Sequence, residues 1–221
     1  MNIKGAIFDM DGTLVDSLMF WDVLWRTLGE KYCNNSAFRP NAETEKAVRT
    51  LSLQEGMHLL HRTCAMGESG DALFQTATDL CAYFYAKIVH LKPGVETFLK
   101  HCKKRGIRMC VASASERAML NIVIKRFGLD AYFSRIFSCG DIGKGKEFPD
   151  VFEQAHVYLG TPKDSTWVFE DSVTALQTAV KAGFQTVGIY DAYAFDEQRV
   201  KELSTVYIAR DESLERLIPD I

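Results

Sequence analysis

The 221-residue sequence predicts an α/β fold: a doubly wound parallel sheet interrupted after its first strand by a helical insert. Two observations carry this expectation. From Val95 to Ile189 short apolar runs alternate with helical periodicities, and Gly106, Gly128, Gly160 and Gly183 stand where four of the helices must close. Between Ser17 and about Ala86, by contrast, there are helix patterns and no convincing strand. The expected organisation is a core formed by residues 1–16 and 90–221, with residues 17–89 as a helical insert.

The elements follow in order. Ile3, Ala6, Ile7 and Phe8 read as a strand buried on both faces, halting at Asp9, Asp11, Gly12 and Thr13. In the insert, Leu18, Trp21, Leu24, Trp25 and Leu28 recur at spacings of three and four, predicting a helix that ends before Gly29. Asn34-Asn35-Ser36 and Arg39-Pro40-Asn41 punctuate the chain; helices are expected at Thr44 to Thr50, Leu53 to Cys64 and, after a turn at Gly67 to Gly70, Asp71 to Val89.

Leu91-Lys92-Pro93-Gly94 marks the return to the core. Helices are expected at Val95 to Lys104, Glu116 to Phe127, Asp150 to Leu159, Val173 to Ala182 and Phe195 to Leu203, with a short one around Leu214 to Leu217. Strands are expected at Ile107 to Ala112, Ile136 to Ser138, Thr166 to Phe169, Thr186 to Ile189 and Val206 to Ala209.

Composition narrows the function. With 26 basic and 29 acidic residues well mixed and a net charge of −3, the sequence carries no footprint for nucleic acid or an anionic membrane. The six cysteines are scattered without a C-x-x-C pair, which argues against a disulfide framework or a zinc ribbon. The first apolar run is too short for a signal sequence or a membrane span, so a cytoplasmic location is the expectation; a monomer or weak homodimer is expected as well.

Chemistry-bearing residues gather where strands stop, the place where open α/β sheets bind ligands. Asp9 and Asp11 end the first strand, Ser113 and Ser115 the second, and Glu170-Asp171-Ser172 the strand at Thr166 to Phe169. The last two have a plainer reading: Ser113 or Ser115 as a helix cap before Glu116, and Asp171 as an acidic cap before Val173. Gly140 to Lys146 satisfies most of a phosphate-binding P-loop, but Glu147 stands where that loop needs Ser or Thr.

Asp9-Met10-Asp11-Gly12-Thr13-Leu14 resembles the first motif of the haloacid dehalogenase superfamily, D-x-D-G-T-L/V, without a departure. The resemblance extends to Ser113 as second motif, to Lys146 with Pro149-Asp150 as third, and to Glu170-Asp171-Ser172 as fourth. Glu147 departs from the proline usual in the third motif, and Lys144 is a neighbouring competitor for the lysine role. The insert falls where this family carries a C1 cap on a Rossmann-like core.

The resemblance implies a Mg²⁺-dependent phosphatase of a small phosphorylated metabolite, such as a sugar phosphate. In that reading Asp9 is the nucleophile that becomes an aspartyl phosphate, and Asp11 the general acid and base. Ser113, Ala114, Gly12 and Lys146 bind phosphate, Ser113 and Lys146 also serving catalysis. Asp9, the backbone carbonyl of Asp11, and Asp171 hold the metal, with Glu170 acting through water or from the second layer. The family's dehalogenases lack an acid at the Asp11 position, so Asp11 argues for phosphoryl transfer.

The alternatives are a β-phosphoglucomutase-type phosphomutase, which uses the same motifs, and a non-catalytic binding protein that keeps the fold. His58 and His61 have no third ligand at sensible spacing and read as surface or core. Trp21 and Trp25 read as a packed stripe, one of them a candidate pocket wall; Arg49 and Lys87 are candidate pocket cations.

Overall fold

The computed structural model describes residues 1–221 as two compact units, one comprising Met1–Leu18 with Val89–Ile221 and the other Met19–Ile88. The first strand, β1 (Gly5–Phe8), belongs to the larger unit and the next four helices to the smaller: α1 (Phe20–Cys33), α2 (Ala42–Thr50), α3 (Leu53–Cys64) and α4 (Gly70–Tyr83). The rest of the chain builds α5 (Val95–Lys104), β2 (Arg108–Ser113), α6 (Arg117–Arg126), β3 (Ile136–Ser138), α7 (Cys139–Ile142) and α8 (Asp150–Leu159). It continues with β4 (Thr166–Glu170), α9 (Val173–Lys181), β5 (Gln185–Ile189), α10 (Glu197–Leu203) and β6 (Val206–Ile208).

The six strands form one parallel sheet in the order β3-β2-β1-β4-β5-β6, with β1 at its centre. Alternation along β1 explains why both faces are covered. Phe8 stacks on Phe169 at 4.4 Å between centroids and meets Phe98 of α5, whereas Ile7 points into the opposite cluster with Cys110, Phe152, Val168 and Ala175. Such a sheet buries its central strands on both faces, and β1 and β4 are buried throughout. All six strands therefore end at one edge, and the register sets Phe8 beside Val111 and Phe169.

The segments by which the chain leaves and re-enters this unit are bonded to each other. The Asp16 N–H donates to the His90 carbonyl and the Lys92 N–H to the Leu14 carbonyl, both at 2.9 Å.

Three sequence expectations change. Gly29 does not end α1: it sits buried inside it, because a Cβ there would lie 2.3 Å from the Asn35 carbonyl oxygen, and Asn34 closes the helix with a φ of 50°. The helix expected to run to Val89 stops as an α-helix at Tyr83 and continues as a π-helical turn over Phe84–Ile88, which keeps Phe84 and Tyr85 both buried. The terminal helix is a 3₁₀ segment, Leu214–Asp220. The four glycines expected to close helices all adopt positive φ.

In the smaller unit, α3 starts with a capping box between Ser52 and Glu55 and packs against α2 and α4. Trp25 is fully buried and its indole donates to Glu45, while Arg49 lies over the Trp21 ring. His58 faces Asp71 and His61 the Met66 carbonyl, so the two rings do not share a ligand. No helix is long and apolar enough to cross a membrane.

Candidate active site

Asp9 is the first residue beyond β1. Its backbone N–H still bonds the Phe169 carbonyl at 2.9 Å, so the sheet fixes where its side chain starts. The chain then turns tightly, with the Gly12 N–H bonding the Val15 carbonyl and the Val15 N–H the Met10 carbonyl. Gly12 sits at a φ of +75°, and a Cβ there would lie 2.4 Å from Oδ2 of Asp171. Only glycine satisfies both the left-handed backbone and that approach. Beside it, the Thr13 hydroxyl donates to Oδ1 of Asp171 at 2.9 Å.

Asp9, Glu170 and Asp171 form a buried carboxylate cluster whose nearest oxygens lie within 4.8 Å of one another. One cation enters it. Lys146 Nζ lies 2.7 Å from Oδ1 of Asp9 and 2.5 Å from Oε1 of Glu170. The other Glu170 oxygen accepts the N–H groups of Asp171 and Ser172, so that carboxylate is committed to holding neighbours in place.

Three negative charges against one positive, all out of water, perturb titration strongly. Burial is the main reason the Asp9 carboxyl is pushed up to about 7; Glu170 and Asp11 add to the rise and Lys146 opposes it. Burial, then the charges of Glu170, Asp9 and Asp191, drive Asp171 well above the carboxylate range. Lys146 goes the other way: burial disfavours its charge, but the Asp9 and Glu170 carboxylates outweigh that and keep it an ammonium. An all-oxygen donor set with surplus negative charge fits a hard divalent cation.

Asp11 lies two residues from Asp9, and its side chain stands outside this cluster. Oδ1 accepts the Ser17 hydroxyl at 2.7 Å and Oδ2 the Ser115 hydroxyl at 2.6 Å. This corrects the expectation that Ser115 caps α6: the cap position is Glu116, without a side-chain bond, and the Ser115 hydroxyl is spent on Asp11. Ser113 is buried at the end of β2, where its Oγ accepts the Ser115 N–H, and Ala114 lies between the two serines.

Lys144 does not compete with Lys146. It pairs with Asp150 at 2.6 Å at the protein surface. The Gly140 to Lys146 stretch is no P-loop either: α7 closes at Gly143, and the next helix begins only at Asp150.

Sequence reasoning missed Asp191 and Lys92. Asp191, buried just past β5, accepts the Lys92 ammonium at 2.8 Å, and Lys92 also donates to the Tyr190 carbonyl. The signal was present, since Gly188-Ile189-Tyr190-Asp191 ends in an acid much as Phe169-Glu170-Asp171 does.

Comparison with known proteins bears on the fold and the family. The family model described as haloacid dehalogenase-like hydrolase matches residues 3–183. Among curated relatives, the phosphorylated carbohydrates phosphatase of Thermotoga maritima is 20% identical, over 99% of this chain and 100% of its own. Hexitol phosphatase B of Escherichia coli is 27% identical, over 84% of this chain and 82% of its own. The crystal structure of CbbY from Rhodobacter sphaeroides in complex with phosphate superposes with a TM-score of 0.77 at 20% identity, covering 97% of this chain and 96% of that one.

Proposed function

From the premise that the chain belongs to the haloacid dehalogenase-like hydrolase family, we propose that it is a Mg²⁺-dependent phosphatase of a small phosphorylated metabolite, a sugar phosphate being the class its named relatives suggest. One observation carries the reading: a buried carboxylate at the central strand end, Asp9, in contact with a fixed ammonium, Lys146, with a second carboxylate two residues on that is held separately by hydroxyls.

Asp9 attacks the phosphorus and the ester oxygen leaves, giving an aspartyl phosphate. Asp11 supplies the proton that the leaving oxygen needs and then takes one from the water that opens the intermediate. Lys146 lowers the repulsion between a carboxylate and a phosphate dianion. The Ser113 hydroxyl and the backbone around Gly12 and Ala114 offer donors to the transferring phosphoryl oxygens. Asp9, Asp171 and the Asp11 carbonyl would hold Mg²⁺, with Glu170 supporting them; when bound, it supplies a positive charge shared by nucleophile and phosphoryl group.

The test is phosphate release from a panel of sugar phosphates with Mg²⁺, alongside Asp9→Asn. Release by the wild type and roughly a thousandfold loss or more in the variant is expected. Equal turnover of p-nitrophenyl phosphate by both proteins would falsify the assignment, and isomer formation from glucose 1-phosphate without net phosphate release would make the enzyme a mutase.

A further inference from the structure

Lys92 and Asp191 form a buried ion pair that the chemistry assigned above does not use. Nζ of Lys92 lies 2.8 Å from Oδ2 of Asp191, the two side chains being 13% and 1% exposed. Both groups are held from a second side as well. Lys92 donates to the Tyr190 carbonyl at 2.7 Å, and Oδ1 of Asp191 accepts the Tyr193 N–H at 2.8 Å. Taking such a pair out of water costs about as much as its attraction returns, so stability alone does not account for it.

Its connections lead to the carboxylate cluster. Lys92 lies in the segment that re-enters the larger unit, and its backbone N–H holds the Leu14 carbonyl at 2.9 Å. One residue earlier, Leu91 bridges Val15. Thr13 precedes Leu14, and its hydroxyl meets Oδ1 of Asp171 at 2.9 Å. Asp171 and Asp191 follow the neighbouring strands β4 and β5, which pair Glu170 with Gly188. A closed circuit results: the end of β5 holds Lys92, Lys92 holds the loop of residues 9–15, and that loop holds Asp171 at the end of β4. Thr13, Lys92 and Asp191 line one cavity of about 220 Å³. Both charges are also felt at Asp171: after burial and the charges of Glu170 and Asp9, Asp191 raises its carboxyl and Lys92 opposes the rise.

We propose that Lys92 and Asp191 are positioning residues for Asp171, bracing the loop of residues 9–15 so that the Thr13 hydroxyl holds that carboxylate in its metal-binding orientation. They act through Thr13 and not on the reacting atoms. The consequence for binding rests on the reading of the cluster as a divalent-metal site; the bracing itself does not.

The test is Lys92→Met/Asp191→Asn, which removes the pair without changing the net charge, keeps an acceptor for the Tyr193 N–H and leaves neither charge buried alone. Isothermal titration of the metal-free full chain with Mg²⁺ should show an affinity roughly tenfold below wild type. On a Thr13→Val background the same two substitutions should weaken binding no further. Single variants separate bracing from the field of the charges, and they carry the same reading where the double variant does not fold. Lys92→Met and Asp191→Asn should each weaken Mg²⁺ binding, whereas charge acting through space would make Lys92→Met bind more tightly. A crystal structure of the metal-free double variant reads position without the ion, and the Thr13 hydroxyl is expected beyond hydrogen-bond reach of Asp171. Absence of Mg²⁺ binding by the wild type would strike the metal reading, and the Thr13–Asp171 bond in the variant then decides the bracing by itself. The proposal is overturned by wild-type affinity in the double variant, by tighter binding in Lys92→Met, by full additivity with Thr13→Val, or by a Thr13–Asp171 bond retained at 2.9 Å.

Discussion

Glu170 meets Lys146 at 2.5 Å through Oε1 while its Oε2 accepts the backbone N–H groups of Asp171 and Ser172. One carboxylate thus fixes both the cation of the site and the turn that presents Asp171. Replacing Glu170 by Ala leaves the Asp171 and Ser172 N–H groups without their acceptor and Lys146 with Asp9 alone, and destabilisation of about 3 kcal/mol is expected from denaturant unfolding. Glu170→Gln keeps the shape and one acceptor oxygen. It should fold, yet lose roughly 10- to 100-fold in kcat, because Lys146 is then held by Asp9 alone. A Gln variant with unchanged kcat would remove Glu170 from the machinery.

Asp11 is tied by two hydroxyls, from Ser17 and Ser115. If Asp11 is the proton carrier, these bonds set its orientation, and losing one misplaces it without removing it. Ser115→Ala is expected to lower kcat several-fold with little change in KM, whereas Asp11→Ala should cost roughly a hundredfold or more. In a double-mutant cycle the Ser115 effect should vanish on the Asp11→Ala background. Full additivity would mean that Ser115 acts elsewhere.

Of the candidate site residues, Asp9, Ser113 and Asp171 were legible through the sheet, and Lys146 through its spacing from Pro149-Asp150. A parallel strand buried on both faces must be apolar until it ends, so Asp9, Ser113 and Asp171 stood out as abrupt polar stops. What sequence did not disclose is how those groups bond one another. The use of Ser115 on Asp11 spans 104 residues, and the pairing of Lys92 with Asp191 spans 99. Local pattern favoured a helix cap for Ser115 because capping is a local interaction. Gly29 misled in the same way: it looks like a helix end in sequence, but the close approach of Asn35 and Phe38 is what demands it.

Gly12 offers a steric test of the carboxylate cluster. An Ala side chain there meets Asp171 at 2.4 Å and must also adopt a φ of +75°. Gly12→Ala is therefore expected to destabilise the protein by about 1–3 kcal/mol and to weaken divalent-metal binding in the same variant, since the clash displaces Asp171. Isothermal titration with Mg²⁺ reads the second effect. Wild-type affinity in a destabilised Gly12→Ala protein would separate Asp171 from the metal.

Titration of Asp9 gives the metal a pH signature. Its carboxyl stands at about 7 in the folded protein against an ordinary 3.8, with burial as the main cause. The folded state therefore keeps a proton that the unfolded chain releases, and without metal the Asp9 contribution to stability declines as pH rises from about 4 to about 7, then levels off. Asp171 is raised as well and adds in the same direction. A divalent cation reverses this balance, because it binds the ionised carboxylates and must displace any proton present. Mg²⁺ should raise Tm by several degrees at about pH 8 and by much less at about pH 5, where protons occupy the cluster. Asp9→Asn removes the charge, so its metal-free Tm should lose the corresponding part of the pH dependence. Scanning calorimetry with and without EDTA at the two pH values measures both effects. An equal Mg²⁺ shift at each pH would mean that the ion binds away from Asp9 and Asp171.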